Sequence, residues 1–443
     1  MNSAAPNSYA FVDVHVVPMD RERVLPHQTV IVRGDRIARV GPVGDVAVPA
    51  DAVRIDGGGR YLMPGLADMH CHYESKECAA LFLANGVTTV RIMWGRPEHL
   101  KARARINSGE RIGPAMYIAG HIVDGDPPTW SGMTSVGDPA SIDAVVETQQ
   151  RDGYDFIKIY NLLSLEVFDA LIASSKRRGM PVVGHLPYRV SLEHALESGM
   201  ASVEHMHRFI EAIQRDDSPL IGRVTDAATL IELIDYCDES KIPAVARLVR
   251  ESRGAICPTL VVSEKMSRFD QYKELLQAPD LAYIHPAVAA GWDPAKDPRL
   301  ATVTEEGYRR LRASSRMAAR IVRALVAEGV RVLLGTDAQN PFTVPGFSLH
   351  EELRLFVDAG VSPYEAIRAG TSGAAAFLGA SDEFGAVREG LRADLILLDA
   401  NPLDDVGRIA HPVGVMTRGN WLPALELARM LDEVRAKYAA AGT

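Results

Sequence analysis

The middle of the chain repeats one pattern, in which a short apolar run is followed by an amphipathic segment, from Leu62 onwards. Short apolar runs predict buried strands, and apolar spacing near 3.6 residues predicts helices. Strands that alternate with helices form parallel sheets. Eight strands are predicted: LADMH (66–70), VTTVRIM (87–93), AMYIAG (115–120), FIKIY (156–160), PVVGH (181–185), SVEH (202–205), AICPTLVV (255–262) and VRVLLGTD (330–337). Eight strand–helix units predict an α/β fold, the closed (β/α)8 TIM barrel.

Both ends of the chain are rich in predicted strands. Residues 1–62 contain FVDVHVVPM, TVIVRG, RIARVG and VRIDGGGRYLM, with Gly, Asp and Pro between these runs. Strand patterns return after residue 382 in FGAVREG and DLILLDANP, before a helical segment, LPALELARMLDEVRAKYAAA. We therefore predict that residues 1–62 and 382–443 jointly form a small sheet domain, with the barrel of residues 63–381 inserted between its halves.

Two long connections exceed what a minimal barrel needs. They cover residues 208–254 and 263–303, and Pro279, Pro286, Pro294 and Pro298 interrupt any long helix in the second. Long loops at the carboxyl ends of barrel strands usually shape the substrate pocket. We therefore predict that this part of the chain is a lid.

Charge and cysteine usage exclude several classes of protein. The 48 basic and 57 acidic residues give a net charge of −9 without long runs of one sign, which argues against a nucleic-acid partner. No apolar stretch approaches the roughly 20 residues that span a bilayer. The N-terminal residues MNSAAPNSYAFVDVHVV lack a signal-peptide pattern, and the four cysteines have no framework spacing. These features predict a cytoplasmic protein that acts on a small molecule, away from membranes.

Histidine and aspartate end several of the predicted strands. His70 and His72 flank one residue at the end of the first, so both side chains lie on one face. His185, His205 and Asp337 end three further strands. An ionisable residue at the end of an apolar strand is costly to bury without a partner. Imidazole and carboxylate groups converging from four strands predict a site for a divalent transition metal.

Lys158 lies inside the apolar strand DFIKIY. A buried lysine must lose its charge or find a partner. One interpretation is an ion pair with a carboxylate. The other is that carbon dioxide adds to the uncharged amine and gives a carbamate, which can bridge two metal ions as a carboxylate does.

An ordered set of motifs resembles the amidohydrolase superfamily, specifically its imidazolonepropionase-like and Xaa-Pro-dipeptidase-like metal-dependent hydrolases. The motifs are MPGLADMHCH, GYDFIKIY, VVGH, ASVEH, CPTL, LLGTDA, HEELRLFVDAGVSPYEAIRAGTSGAAAFLG and FGAVREGLRADLILLDANPL. The segment IYNLLSLEVF differs from the Gly-rich, Ser-containing segment of the related dipeptidases, so dipeptide specificity does not follow from the likeness.

The resemblance implies a barrel joined to a urease-like β-sandwich and a binuclear centre, usually of zinc. It implies one ion held by His70, His72 and Asp337, a second held by His185 and His205, and an N6-carboxylated Lys158 that bridges them. A hydroxide held between the ions would attack the scissile carbonyl. Asp337 would act as the catalytic group that moves a proton from hydroxide to the leaving amine.

Other side chains are weaker candidates for substrate contact, because each has an ordinary structural role open to it. Those expected to touch substrate are His121, Tyr160, Tyr188, His207 and His350. Trp130 and Trp292 are further candidates for pocket walls. Arg91, near the end of the second predicted barrel strand, could bind a substrate carboxylate or pair with an acidic side chain.

Together these features predict a hydrolase that cleaves a carbon–nitrogen bond, peptide or other, in a small molecule. An N-acyl amino acid, a dipeptide and a cyclic amide are the candidate substrates. The same metal site would also serve an ester, lactone, carbamate or phosphotriester hydrolase, or a decarboxylase. A scaffold that has lost catalysis is a further alternative, although such proteins normally lose ligands. A homo-oligomer is possible, since superfamily members commonly assemble.

Overall fold

The computed structural model describes residues 8–297 and 299–441. The predicted N-terminal segment at residues 1–7, Pro298 of the predicted lid, and residues 442–443 lie outside these ranges. Within them, eighteen strands are found: β1 (Ser8–Val16), β2 (Leu25–Arg33), β3 (Arg36–Pro42), β4 (Val53–Asp56), β5 (Tyr61–Pro64), β6 (Leu66–Cys71), β7 (Val87–Ile92), β8 (Ala115–Ile118), β9 (Val123–Asp124), β10 (Thr134–Ser135), β11 (Ile157–Ile159), β12 (Val182–Gly184), β13 (Ser202–Glu204), β14 (Ala255–Cys257), β15 (Arg331–Val332), β16 (Leu395–Leu398), β17 (Gly414–Thr417) and β18 (Asn420–Pro423).

Sixteen α-helices connect and cover these strands in the described residues. They are α1 (Cys78–Ala84), α2 (Pro97–Asn107), α3 (Ile142–Asp152), α4 (Leu165–Arg178), α5 (Leu192–Glu197), α6 (His207–Ala212), α7 (Ala227–Glu232), α8 (Ile242–Ser252), α9 (Leu260–Ser267), α10 (Tyr272–Leu275), α11 (Pro286–Ala289), α12 (Glu305–Ala327), α13 (Phe347–Asp358), α14 (Pro363–Ala369), α15 (Ser372–Phe377) and α16 (Ala424–Ala441). No helix among them is long and apolar enough to cross a membrane.

The two ends of the chain share one mixed sheet. Its strand order is β18-β17-β16-β5-β1-β2-β3, and β4 pairs with β1. The junction is the antiparallel pairing of β5 with β16, in which Leu62 lies opposite Leu397. Phe11, Val30 and Leu395 belong to the apolar core on this sheet. Strands from both ends of the chain therefore pair in one sheet, whereas the division into domains and a sandwich of two facing sheets stay predictions.

The central strands are parallel and form two sheets. One has the order β6-β7-β8, and the other has the order β10-β9-β11-β12-β13-β14-β15. Isolated parallel bridges join Ala119 to Phe156 and Cys71 to Ala338, so each edge of the smaller sheet meets the larger one. The predicted α/β class with parallel strands is confirmed.

Local sequence explains where the elements between these strands begin and end. The Ser164 hydroxyl caps α4 by accepting the backbone N–H of Val167, and Gly179 ends that helix in the left-handed conformation. The Thr304 hydroxyl caps α12 in the same way. In β11, Ile157 and Ile159 pack in the main apolar core. Because neighbouring side chains alternate across a strand, Lys158 points to the opposite face of the sheet from Ile157 and Ile159.

Some predicted strands are wrong in extent. Residues 260–262 belong to helix α9, because Thr259 turns the chain with φ at +48° and the carboxylate of Glu352 accepts the N–H groups of the first helical residues. The strand predicted at 330–337 is reduced to β15, and residues 384–390 form no strand in the described chain. Strands β9, β10, β17 and β18 were not predicted.

The two long connections contain short helices. Residues 208–254 contain most of α6 together with α7 and α8, and residues 263–303 contain most of α9 together with α10 and α11. From these segments Ile210, Leu230, Met266 and Leu300 line the cavity described below. This position fits the predicted lid, whose movement stays a prediction.

Candidate metal centre

The six side chains expected to hold metal come from five parallel strands or the residues just after them. His70 lies in β6 and His72 just beyond it. Lys158 is the central residue of β11. His185, His205 and Asp337 follow β12, β13 and β15 respectively. Carboxyl ends of parallel strands share one edge of a sheet, so these residues meet although they span more than half of the sequence.

Asp337 stands between two of the imidazoles. Its Oδ1 atom lies 3.2 Å from His70 Nε2 and 3.0 Å from His72 Nε2. Its second oxygen, Oδ2, lies 3.9 Å from His205 Nε2. One carboxylate therefore faces three imidazole nitrogens that could be ligands.

The remaining members complete the cluster. His205 Nε2 lies 3.0 Å from His185 Nε2. Lys158 Nζ lies 3.5 Å from His70 Nε2. Two imidazole nitrogens at this separation form one hydrogen bond if each ring is neutral, and they are also close enough to bind a common cation. The structure brings all six predicted residues together.

The other ring nitrogen of three histidines has its own partner. His70 Nδ1 lies 2.8 Å from Glu204 Oε2, His185 Nδ1 lies 2.9 Å from Asn161 Oδ1, and His205 Nδ1 lies 2.7 Å from Thr259 Oγ1. Histidines that bind metals generally use the second ring nitrogen in this way, which fixes the orientation of the ring.

The backbone is unusual where the strands end at the cluster. His205, Thr259 and Asp337 have φ values of +67°, +48° and +59°. Residues other than glycine seldom adopt this left-handed region, and a β-branched residue such as Thr259 does so at a cost. Each of these three residues lies in the segment that follows a strand. The strained backbone therefore occurs where the chain turns to direct side chains into or next to the cluster.

Burial sets the protonation of the cluster. It lowers the pKa values of His185 and His205 well below the usual range, and the neighbouring positive charges add to this effect for His185. Burial also lowers the pKa of Lys158 to about 8. Burial alone would raise the pKa of Asp337, but the charge and hydrogen bond of His70 hold it well below its usual value. The cluster therefore favours neutral imidazoles at His185 and His205 and an ionised carboxylate at Asp337.

These donors fit a divalent metal. One ligand atom from each of His70, His205 and Asp337 falls within 4.8 Å of the others, and all three residues are buried. Imidazole nitrogen and carboxylate oxygen are common zinc ligands. A second group, His70, Glu204 and Cys257, meets the same distance criterion. There the Glu204 carboxylate is already paired with the guanidinium of Arg91, which makes that group a poorer cation site.

A cavity of about 750 Å³ opens onto the cluster. Its walls are largely apolar and include the aromatic rings of Trp94, Trp130, Tyr160 and Tyr188. The indole N–H of Trp130 donates to the Tyr160 hydroxyl over 3.2 Å. Arg299 also lines the cavity. A space of this size accommodates a small molecule with a bulky apolar part.

The residues expected to contact substrate divide into two groups. Tyr160, Tyr188 and His207 line the cavity. Within the described chain the Nε2 atom of His207 is buried without a hydrogen-bond partner. His121 and His350 are not among the lining residues: the first packs edge-on against Tyr154, and the second is buried on α13.

Three further residues named from the sequence can also be placed. Trp130 lines the cavity, whereas Trp292 packs against Phe342 in a separate apolar cluster. Arg91 is fully buried and pairs with Glu204, so its acidic partner is within the protein.

Sequence reasoning missed the partners of the histidines and the cationic wall of the cavity. The sequence did contain a signal for Glu204, because it is a charged residue inside the predicted strand SVEH. The argument applied to Lys158 applies to it equally. Asn161 and Arg299 lie in connections, where polar residues are ordinary and carry no such signal, and Thr259 is an uncharged residue inside the predicted strand 255–262.

Comparisons with known proteins identify the family of the chain. The sequence profile described as Amidohydrolase family matches residues 162–422. The ochratoxinase of Aspergillus niger is 33% identical over 115 residues, which cover 26% of this chain and 23% of that protein. The adenine deaminase of Rubrobacter xylanophilus is 39% identical over 82 residues, which cover 18% of this chain and 14% of that one. Each match therefore spans less than a quarter of the curated relative.

Solved structures extend the likeness to nearly the whole chain. Bottromycin amidohydrolase superimposes with a TM-score of 0.79 at 28% identity, covering 98% of this chain and 91% of its own. A Xaa-Pro dipeptidase with bound methionine gives 0.68 at 20% identity, with coverage of 94% and 100%. The second likeness concerns the fold alone. Because the family profile covers more than half of the residues, the chain belongs to the amidohydrolase family.

Proposed function

We propose that this protein is a metal-dependent hydrolase that cleaves a carbon–nitrogen bond, most simply an amide, in a small molecule. The observation that carries the proposal is the meeting of four imidazoles, one carboxylate and one buried lysine at the floor of an apolar cavity. Family membership supports the class of reaction. The curated relatives and solved neighbours include proteins named as an ochratoxinase, an adenine deaminase and a Xaa-Pro dipeptidase.

The residues would hold two divalent ions, with zinc as our choice of metal. His70, His72 and Asp337 would hold one, and His185 and His205 the other. Lys158 would bridge them after its neutral amine adds carbon dioxide, which forms an N–C bond and releases one proton. Its pKa of about 8 supports this step, since a useful fraction of the amine is uncharged near neutral pH.

The protein's own groups divide the remaining work. When bound, a pair of such ions makes hydroxide available near neutral pH and polarises the scissile carbonyl. Asp337, ionised in this environment, would accept a proton and return it to the leaving amine. Tyr188 and His207 would contact the substrate from the cavity wall. The apolar walls would exclude water from the reacting atoms.

A proposal about the fold also follows from the parallel strands that carry these residues. We propose that the two parallel sheets close into one (β/α)8 barrel through the bridges at Ala119–Phe156 and Cys71–Ala338. The barrel domain would comprise residues 63–381, inserted between the two segments of the terminal sheet. The four cysteines are free, which supports a reducing compartment such as the cytoplasm.

Arg299 narrows the choice of substrate. Its Nε and Nη2 atoms bind Asp297 at 2.9 and 2.6 Å, which fixes the plane of the guanidinium at the cavity wall. Arg299 lines the same cavity as Tyr160 and Asp337. A guanidinium is well suited to bind a carboxylate. Among the candidates we therefore favour an amide that joins a bulky apolar acyl group to an amino acid with a free carboxylate.

A hydrolysis screen of the zinc-loaded protein tests the proposal. The panel pairs aromatic N-acyl amino acids with their carboxamide analogues, and adds dipeptides, lactams, esters, carbamates, phosphotriesters and adenine. We expect turnover of an N-acyl amino acid, loss of turnover with a chelator, and recovery with added zinc. Turnover only of esters, phosphotriesters or adenine would contradict amide cleavage, and a metal-free, inactive protein would favour the scaffold alternative.

The variant Lys158→Ala tests the bridge. We expect it to lose one or both zinc ions and nearly all turnover, because no carbamate can form, and to regain part of both when short carboxylic acids are added. The measurements are zinc per chain and initial rate with and without acetate. Full activity in this variant would refute the bridging role.

A further inference from the structure

Glu204 is held in the interior by Arg91 and Ser202. Arg91 is fully buried, and its Nη2 atom donates to both carboxylate oxygens of Glu204 over 2.9 and 3.0 Å. The Ser202 hydroxyl donates to Oε1 over 2.5 Å and accepts from Arg91 Nη1 over 2.9 Å. Arg91 is itself anchored to the backbone, since its Nε atom donates to the carbonyl of Met69. The position of the carboxylate is thus determined by two side chains.

This carboxylate fixes the orientation of the His70 ring. Glu204 Oε2 lies 2.8 Å from His70 Nδ1, and an ionised carboxylate can only accept a hydrogen bond. Nδ1 therefore carries a proton, and Nε2 is the ring nitrogen that faces the cluster and is free to act as a ligand. That atom is 3.2 Å from Asp337 Oδ1 and 3.5 Å from Lys158 Nζ.

The two other imidazoles with partners are held by neutral groups. His185 has the side-chain amide of Asn161, and His205 has the hydroxyl of Thr259. A hydroxyl can donate or accept, so it does not fix which ring nitrogen is protonated. A carboxylate partner also raises the basicity of a ligating imidazole, which a neutral partner does to a smaller extent.

We propose that Glu204 is a positioning residue that makes the ion held by His70, His72 and Asp337 the more tightly bound of the two. This inference rests on the proposed function, because it presupposes two ions. Arg91 balances the charge of Glu204 and holds the Glu204 carboxylate away from the ions. The ion at His185 and His205 is consequently the first to leave.

Zinc binding tests the inference independently of turnover. Competition against a chromophoric chelator gives an affinity for each zinc. In the wild type we expect two unequal affinities. Glu204→Gln should weaken the tighter one by about 10–100-fold, the usual effect of removing an outer partner of a ligand. Thr259→Val, which removes a neutral partner without touching His70, should weaken only the looser one.

Two more variants separate positioning from folding. Glu204→Gln leaves Arg91 without its counter-charge, so the double variant Arg91→Gln/Glu204→Gln keeps the net charge and should show the same loss of zinc affinity. Glu352→Gln alters another fully buried carboxyl, whose hydrogen bonds in the described chain come from the backbone N–H groups of Leu260 and Val261. It should change the melting temperature of the metal-free protein and leave both zinc affinities unchanged.

The outcomes distinguish this inference from the proposed function. A folded double variant that binds zinc as tightly as the wild type overturns the role of Glu204. Equal affinities for two zinc ions in the wild type overturn the inequality while leaving the hydrolase proposal intact. A wild type that binds no zinc overturns both.

Discussion

The terminal sheet and the parallel strands bury very different side chains. The main core on the terminal sheet consists of apolar side chains, with Phe11 and Met416 fully buried, and the buried ion pair Arg392–Asp394 lies just before strand β16. The parallel strands instead enclose Arg91, Lys158 and Glu204, all essentially inaccessible to solvent. Burying an ionisable group costs free energy unless a partner compensates. The contrast teaches that one region is arranged for stability and the other for chemistry.

The ionisable groups buried among the parallel strands are tolerated because each is either paired with an opposite charge or shifted towards its neutral form. Glu204 is paired with Arg91, which together with His70 holds its pKa below the usual value even though burial alone would raise it. Burial lowers the pKa of Lys158 to about 8, which favours its neutral amine. Replacing Lys158 or Asp337, which face the candidate metal site, should therefore change activity more than stability, whereas replacing an apolar residue of the terminal sheet should do the opposite.

The largest expected effect comes from Asp337→Asn. Loss of a general acid–base lowers turnover by roughly 10²–10⁴-fold. The substitution keeps the shape of the side chain, so we expect circular dichroism and melting temperature close to those of the wild type. Turnover on the best substrate of the screen is measured together with zinc per chain. A variant that keeps its zinc and an unimpaired rate would remove Asp337 from the mechanism.

Phe11→Ala should give the opposite result in the terminal sheet. Phe11 is fully buried, and its ring meets that of Trp421 edge-on with centroids 5.3 Å apart. Truncating a buried phenylalanine costs about 3–5 kcal/mol of unfolding free energy. Denaturant unfolding measures this loss, and kcat per folded molecule should stay unchanged. A large fall in kcat without a fall in stability would show that the two regions are coupled.

The central strands were predictable because their signal is local. Each is a short apolar run, and the runs at β6, β7 and β11 begin and end within about two residues of their predicted limits. The same reasoning failed where contacts between distant parts of the sequence determine where a strand ends. The apolar run at residues 255–262 divides at Thr259 because Glu352, more than ninety positions away in sequence, caps the helix that follows. Periodicity within the run cannot reveal that contact.

The candidate site was predictable to the extent that it breaks the apolar pattern. Histidine, lysine and aspartate at the ends or centres of buried strands are conspicuous, so all six proposed ligands could be named. Asn161, Thr259 and Arg299 follow strands or lie in long connections, where polar side chains are the rule. His121 has an ordinary sequence context as well, and the structure directs its ring to Tyr154 rather than to the cavity.

The effect expected per pH unit is smaller for Glu352, a buried carboxyl that has no ion pair within the described chain of the kind that Arg91 gives Glu204. Burial raises the pKa of Glu352 from 4.5 to about 8, although the N–H groups of Leu260 and Val261 oppose this shift. Between these values the folded state keeps a proton that the unfolded state releases, so stability falls as pH rises, by at most about 1.4 kcal/mol per unit. Glu352→Gln lacks this group. Its unfolding free energy, measured in urea between pH 5 and 8, should therefore increase relative to the wild type as pH rises. A difference that is constant with pH would mean that Glu352 is ionised in the folded protein, as Glu204 is.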